Sequence, residues 1–228
     1  MEYEFDTKPS YTMATVALEQ GESLTAEAGA MVAHSQEIDV DTSRGDSGGL
    51  LSSVKRSVLG GESFFRNTFT ARDAPGEVSI APVKPGDMDV FEMTDDAVIV
   101  QSGGYVAAGP DVEITTDVGG LDTLFGGEGL FFLKAEGTGP LFLGSYGGLV
   151  EREVRAGETL TVDSGHLVAW DDEMTYDTRR VGGLKETLLS GEGLVMDFEG
   201  PGTLWMQTRD YDAFIMDIAS NLPNQNSG

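Results

Sequence analysis

The chain has 228 residues, no cysteine and a net charge of −25, from 39 acids against 14 bases. The missing cysteines exclude disulfides, thiolate metal sites and cysteine nucleophiles together. The charge disfavours binding to bare nucleic acid or anionic lipid, both of which need a basic patch. An apolar content of 39% with regular strand patterns argues against disorder at this charge. Such an acidic surface suits high salt, where screening within ~3 Å at 1 M removes self-repulsion, so a halophilic setting is expected. The opening MEYEFD has acids where a signal peptide needs a basic segment and an apolar core. No apolar run approaches ~18 residues, so the expectation is a soluble, cytoplasmic protein without a transmembrane segment.

Taken in order, residues 1–20 read as strands. Tyr3 and Phe5 alternate with acids, and Ala14, Val16 and Leu18 alternate with Met13, Thr15 and Ala17. After Gln20-Gly21-Glu22 comes Gly21–Thr42, and Ser43–Gly49 (SRGDSGG) reads as a loop. Leu50, Leu51, Val54, Val58 and Leu59 fall at helical intervals, which predicts a short amphipathic helix stopped by Gly60-Gly61. Ser63–Ala71 and Glu77–Val83 are expected to pair as strands across an Asp-Ala-Pro-Gly turn. Pro85-Gly86-Asp87 marks a boundary. Beyond it, Leu130–Glu136 and Leu141–Leu143 are expected to be joined by the turn Gly137-Thr138-Gly139-Pro140. Leu194–Glu199 and Thr203–Thr208 are expected to be joined by Gly200-Pro201-Gly202. Phe214, Ile215, Ile218 and Leu222 predict a terminal helix over 211–222, followed by a disordered tail over 223–228.

One stretch recurs. Gly157–Thr178 (GETLTVDSGHLVAWDDEMTYDT) is echoed by Gly21–Thr42 (GESLTAEAGAMVAHSQEIDVDT) and more loosely by Asp95–Asp117. Aligned on Gly29, Gly103 and Gly165, the copies share apolar runs that reach Ala33, Ala107 and Ala169. Each is followed by a GGL triplet, starting at Gly48, Gly119 and Gly182, and then a Gly-Glu pair. Such a period sets the architecture. The expectation is mainly β, a single domain over 1–222 of three pseudo-symmetric repeats, about 11–84, 85–147 and 148–209. Packed around a pseudo-threefold axis as a sandwich or barrel, they would bury faces that each alone exposes.

The order of motifs resembles the altered-inheritance-of-mitochondria type mitochondrial biogenesis family, in its prokaryotic branch. The likeness is carried by AEAGAMVAHS at 26–35, LGGESFF at 59–65, APVKPGD at 81–87, DSGHLVAW at 163–170 and SGEGLVMDFEGPGTLWMQTR at 190–209. It covers nearly the whole chain. What it implies is a fold similar to the tryptophan RNA-binding attenuator protein superfamily, β-rich, internally repeated and often oligomeric. Mitochondrial members are implicated in inner-membrane organisation and respiratory complexes, so any membrane association implied here is indirect.

Glu62, Glu128 and Glu192 are the candidate metal ligands, since three equivalent carboxylates could converge on a divalent cation. The favoured reading is structural: each accepts backbone N–H groups at its Gly-rich turn. His34 and His166 are not equivalent in the alignment and make no His-X-His pair. Asp163, Ser164 and His166 are the residue types of a triad, but neighbours on a strand face opposite ways. The strings Gly144–Gly148 and Gly126–Gly129 lack a Walker lysine and read as turns. Phe64, Phe65, Phe131, Phe132 and Trp205 lack interleaved bases, so core packing is expected rather than stacking on nucleic acid. The function expected is a non-catalytic, homo-oligomeric binding or assembly module with no cofactor and with protein partners. The rival is a metal- or ligand-dependent binder or enzyme using the Gly-Glu corners.

Overall fold

A computed structural model describes residues 1–44, 65–116, 131–180 and 194–222. The expected helix over 50–59, the glutamates Glu62, Glu128 and Glu192 and the tail over 223–228 lie outside the described residues.

After β1 (Glu2–Asp6), the first unit runs β2 (Met13–Leu18), β3 (Ser23–Glu27), β4 (Met31–His34), β5 (Ile38–Arg44), β6 (Phe65–Ala71) and β7 (Gly76–Ile80). These strands make two three-stranded groups, β2-β7-β4 and β3-β6-β5, all antiparallel. Alternation builds them: Ala14, Val16 and Leu18 in β2, Leu24 and Ala26 in β3, and Val78 and Ile80 in β7 are buried, while the residues between face outward. β1 covers the outer edge of β2.

The second unit pairs in a corresponding way with four strands, two of them long: β8 (Met88–Gln101), β9 (Tyr105–Ala108), β10 (Val112–Thr115) and β11 (Phe132–Gly144). β8 and β11 pair along their whole length, β10 flanks the first half of β11 and β9 the second. The third returns to six: β12 (Leu149–Val154), β13 (Thr159–Asp163), β14 (Leu167–Asp171), β15 (Thr175–Arg180), β16 (Leu194–Glu199) and β17 (Gly202–Gln207). Its groups are β12-β17-β14 and β13-β16-β15. α1 (Tyr211–Asn221) ends the described chain.

None of the three Gly/Pro segments closes a hairpin. β6 and β7 are both present but do not pair; β6 lies between β3 and β5, and β7 between β2 and β4. Asp73-Ala74-Pro75-Gly76 is therefore a corner that moves the chain between sheets. A side chain at Gly76 would meet Ile38 Cδ1 and Ser35 Oγ, each at 2.8 Å. The segment 137–140 is not a turn either. β11 passes through it as one strand, with a register shift against β8 between Gly137 and Thr138. Gly137 sits there at φ +130°, with Asp111 O where a Cβ would be. Gly200-Pro201-Gly202 does join β16 to β17, but across sheets, like the first corner.

The units are linked by a recurring junction. β3 of the first pairs with β9 of the second, Ala26 opposite Ala107 and Thr25 opposite Ala108. β8 of the second pairs with β14 of the third, Val100 opposite Ala169, Ile99 opposite Trp170 and Val98 opposite Asp171. The core clusters cross these seams. Val106, Ala107 and Phe142 join the first unit's apolar cluster, Val168, Ala169 and Trp205 the second's, and Ile99 and Phe132 the third's. A closed threefold has three such junctions; between β13 and β4, among the described strands, no pairing is made.

Candidate functional site

The positions between sheets make one edge unlike its counterparts. In β4, β9 and β14 a single valine falls out of register with the neighbouring strand. Val32 is skipped between Met31 and Ala33, Val106 between Tyr105 and Ala107, and Val168 between Leu167 and Ala169. Each is the third residue after the aligned glycine, Gly29, Gly103 or Gly165. A bulge of this kind re-aims its extra side chain, and two of the three valines are directed into the preceding unit's core. Val106 is 2% exposed and Val168 0%, whereas Val32 is 55% exposed. The Val-Ala pair is common to all three strands, but among the described strands β4 lacks the neighbour that β9 and β14 have.

The rest of β4 follows Val32. All four of its residues are exposed, Met31 at 40%, while all of β9 and the first four residues of β14 are buried. His34 makes its Nδ1 hydrogen bond to the carbonyl of Ser35, 2.8 Å away, and points to no cluster. At the opposite end of the row β13 pairs, among the described strands, with β16 alone, where its counterparts β3 and β8 each pair on both sides. Natural edges are blunted by charge. β5 carries Asp39 and Asp41, and β12 carries Glu151, Arg152 and Glu153. β4 reads MVAH, with no acid in a chain of 39, and β13 reads TLTVD, with its one acid at the end.

The second feature is a half-buried charge group beside the glycine turns. Glu27, at the end of β3, has its carboxyl pushed up to about 7 by burial, partly opposed by the attraction of Lys84. Burial pulls the Lys84 ammonium down, against the pull of Asp212, Glu27 and Asp210. Lys84 Nζ lies 5.1 Å from the Tyr211 ring centroid, and a Cβ at Gly103 would fall 2.5 Å from that nitrogen. Asp210 occupies the matching place over Gly165 and caps α1, accepting from the N–H groups of Asp212 (2.8 Å) and Ala213 (3.0 Å). Tyr146 holds the helix from below through ring contacts with Tyr211 at 5.4 Å and Phe214 at 5.7 Å. No residue of α1 is buried; Phe214, Ile215, Ile218 and Leu222 stay exposed rather than packing on the core.

The residues with triad-like chemistry serve the turn. Asp163 Oδ1 accepts from the Gly165 N–H at 2.8 Å, and His166 Nδ1 is 2.9 Å from the carbonyl oxygen of Gln207. Gln207 donates to the Gly165 carbonyl at 2.7 Å and accepts from the Tyr146 N–H at 2.9 Å, tying the turn to β17. Gly144–Gly148 is likewise a joint: Ser145 N–H donates to Asp87 O at 3.0 Å, and Gly86 bridges Gly147. Phe132 and Trp205 are core residues, while Phe64 lies outside the described residues. Among the described residues no group of three His, Asp or Glu is placed to hold a metal ion. A groove between Phe91, Leu143, Leu149 and Trp205, with Asp89 and Glu151 on its lining, holds about 130 Å³. Cofactor and drug-sized ligand sites need roughly 300 Å³ or more.

Comparison with known proteins agrees with this geometry. The mitochondrial biogenesis AIM24 family model matches residues 3–209. The chain belongs to that family. An uncharacterized protein of Streptococcus pyogenes serotype M6 is 28% identical over 233 residues, spanning 100% of this chain and 93% of its own length. An X-ray crystal structure of a Streptococcus pyogenes protein superposes with a TM-score of 0.81 at 26% identity, covering 97% of this chain and 99% of that one. The residues that the family model matches include Val32, Val106, Val168, β4 and β13. No helix among the described residues is long and apolar enough to cross a membrane.

The sequence signal of the bulge is the Val-Ala pair at 32–33, 106–107 and 168–169, two apolar residues that carry no chemistry of their own.

Proposed function

We propose that this AIM24 protein is a non-catalytic assembly module that works as a homo-oligomer and presents its acidic outer surface to protein partners. One observation carries the reading: Val32 is 55% exposed where Val106 and Val168 are 2% and 0% exposed. Leaving a strand of four exposed, mostly apolar residues open to water forgoes roughly 25 cal/mol per Å² of apolar surface, which a second copy recovers. Glu27 and Lys84, both shifted by burial and attracted to each other, sit beside the glycine turns at the start of α1, which supports a structural role for them. The expected setting is a salt-rich cytoplasm, where a net charge of −25 is screened enough for copies to approach. By analogy with the mitochondrial members that the chain resembles, the proposal extends to a supporting role in membrane-associated complexes, reached through protein contacts.

The test is mass in solution. Light scattering at micromolar concentration in molar KCl is expected to give a multiple of the 24.2 kDa chain mass for the wild type. Val32→Asp should return the monomer with its strand content intact. A wild-type particle of monomer mass throughout that range would end the proposal.

A further inference from the structure

The geometry points to a head-to-tail joint in which β13 of one copy pairs antiparallel with β4 of the next, in the register that already joins the units within a chain. This deepens the assembly proposal and rests on it, by naming the surface and its occupant, a second copy of the chain.

The register follows from the two internal junctions. Ala26 and Val100 each lie three residues before the aligned glycine, Gly29 or Gly103. Their partners Ala107 and Ala169 each lie four residues after the glycine of the following unit. The next pairs out also correspond, Thr25 with Ala108 and Ile99 with Trp170. The rule is thus the same twice. Applied a third time it places Val162 opposite Ala33 of the next copy, Thr161 opposite His34, and Leu160 opposite Ser35.

Each side has the surface this needs. β4 exposes the apolar residues that β9 and β14 bury at their junctions. β13 offers an edge that no described strand pairs, beside a core cluster that already takes Ile99 and Phe132 from the second unit. Neither edge carries a charge along the three pairs. A second copy fits because its β4 carries the bulged valine that β9 and β14 carry at the junctions within the chain. The contact is heterologous, with different surfaces on the two copies, so it propagates as a ring or a filament and not as a twofold dimer.

Single-cysteine variants test it, since the chain has no cysteine of its own. Directly opposed residues on paired strands have Cβ atoms ~4.5–5.5 Å apart, within reach of oxidation or a short bismaleimide. Ala33→Cys and Val162→Cys are prepared separately, mixed below the assembly concentration and concentrated in molar KCl. Cross-linked dimer is expected in the mixture and not in either variant alone. The exposed pair His34→Cys and Thr161→Cys repeats the test if Val162→Cys fails to fold. The variant carrying both Ala33→Cys and Val162→Cys should link into a ladder, ending at a fixed size if the assembly closes. Cross-linking of Ala33→Cys with itself means β4 pairs with β4 and overturns the joint. An oligomer by light scattering with no cross-link in either mixture overturns it too, while leaving the assembly proposal standing. A monomer at every concentration overturns both.

Discussion

The three bulged valines allow one substitution to be made at three sites that differ in their neighbours. Val→Ala removes two methylene equivalents, worth ~0.8 kcal/mol each when buried, and leaves a cavity that adds to the loss. Val106 and Val168, at 2% and 0% exposure, should therefore each cost about 2–3 kcal/mol. Val32, at 55% exposure, should cost no more than about 0.5 kcal/mol in a dilute sample, as surface changes do. Urea denaturation in molar KCl, at a protein concentration where the particle is a monomer, reads the three values directly, provided the slope with urea is unchanged. Raising the concentration then separates the hypotheses. Assembly stabilises the wild type by mass action, and Val32→Ala should lose part of that gain, so its deficit grows with concentration while those of Val106→Ala and Val168→Ala stay constant. Equal costs at all three sites in the dilute sample would refute the reasoning, since Val32 would then already be packed. A Val32→Ala deficit that stays negligible while the protein is oligomeric would refute it as well.

Other outcomes follow from the same features. The Glu27 carboxyl is held up to about 7 in the folded chain against about 4.5 unfolded, so unfolding releases a proton between those values. Its contribution to stability is complete below about pH 4.5 and is lost as pH rises through about 7; in melts across pH 4–8 the wild type should lose stability relative to Glu27→Gln only between those values, and parallel curves throughout would refute the assignment. Thermal midpoints should climb from 0.1 to 3 M KCl as the screening length falls from ~10 Å to below ~3 Å, and a flat midpoint would contradict the halophilic expectation. Asp210→Ala should cost α1 about 1 kcal/mol through the lost cap, seen as faster amide exchange in 211–221 with β17 unaffected. Single Glu→Gln changes at Glu62, Glu128 and Glu192 should each cost roughly 1–3 kcal/mol, add within ~0.5 kcal/mol and ignore EDTA; a triple variant no worse than a single one, reproduced by EDTA, would instead show a shared cation.

Much of the strand content was readable because it is local. Alternation in MATVAL at 13–18 marks one buried face, and DAFIMDIASN after the cap at Asp210 reads as a helix. The Gly/Pro segments were visible too, but a turn residue reports only that the chain bends. Whether Pro75-Gly76 closes a hairpin or moves the chain to another sheet depends on β2, β4, β3 and β5, residues distant in sequence. In the same way Gly137 and Gly139 read as a turn because their positive φ values are what a turn uses, although here they kink one long strand. The open edge was the least legible feature. Val32, Val106 and Val168 carry the same residue because each is shaped for the same junction, and sequence likeness hides which of the three lacks its partner.

The most direct measurement is amide hydrogen exchange as a function of protein concentration in molar KCl. The account predicts that protection rises together at 31–34 and 160–163, the two unpaired junction strands. Exchange in the charged edge strands β5, β12 and β15 should stay as it is in the monomer. If β4 and β13 exchange equally fast at all concentrations while the protein is oligomeric, or if new protection appears only in α1, these edges do not carry the assembly.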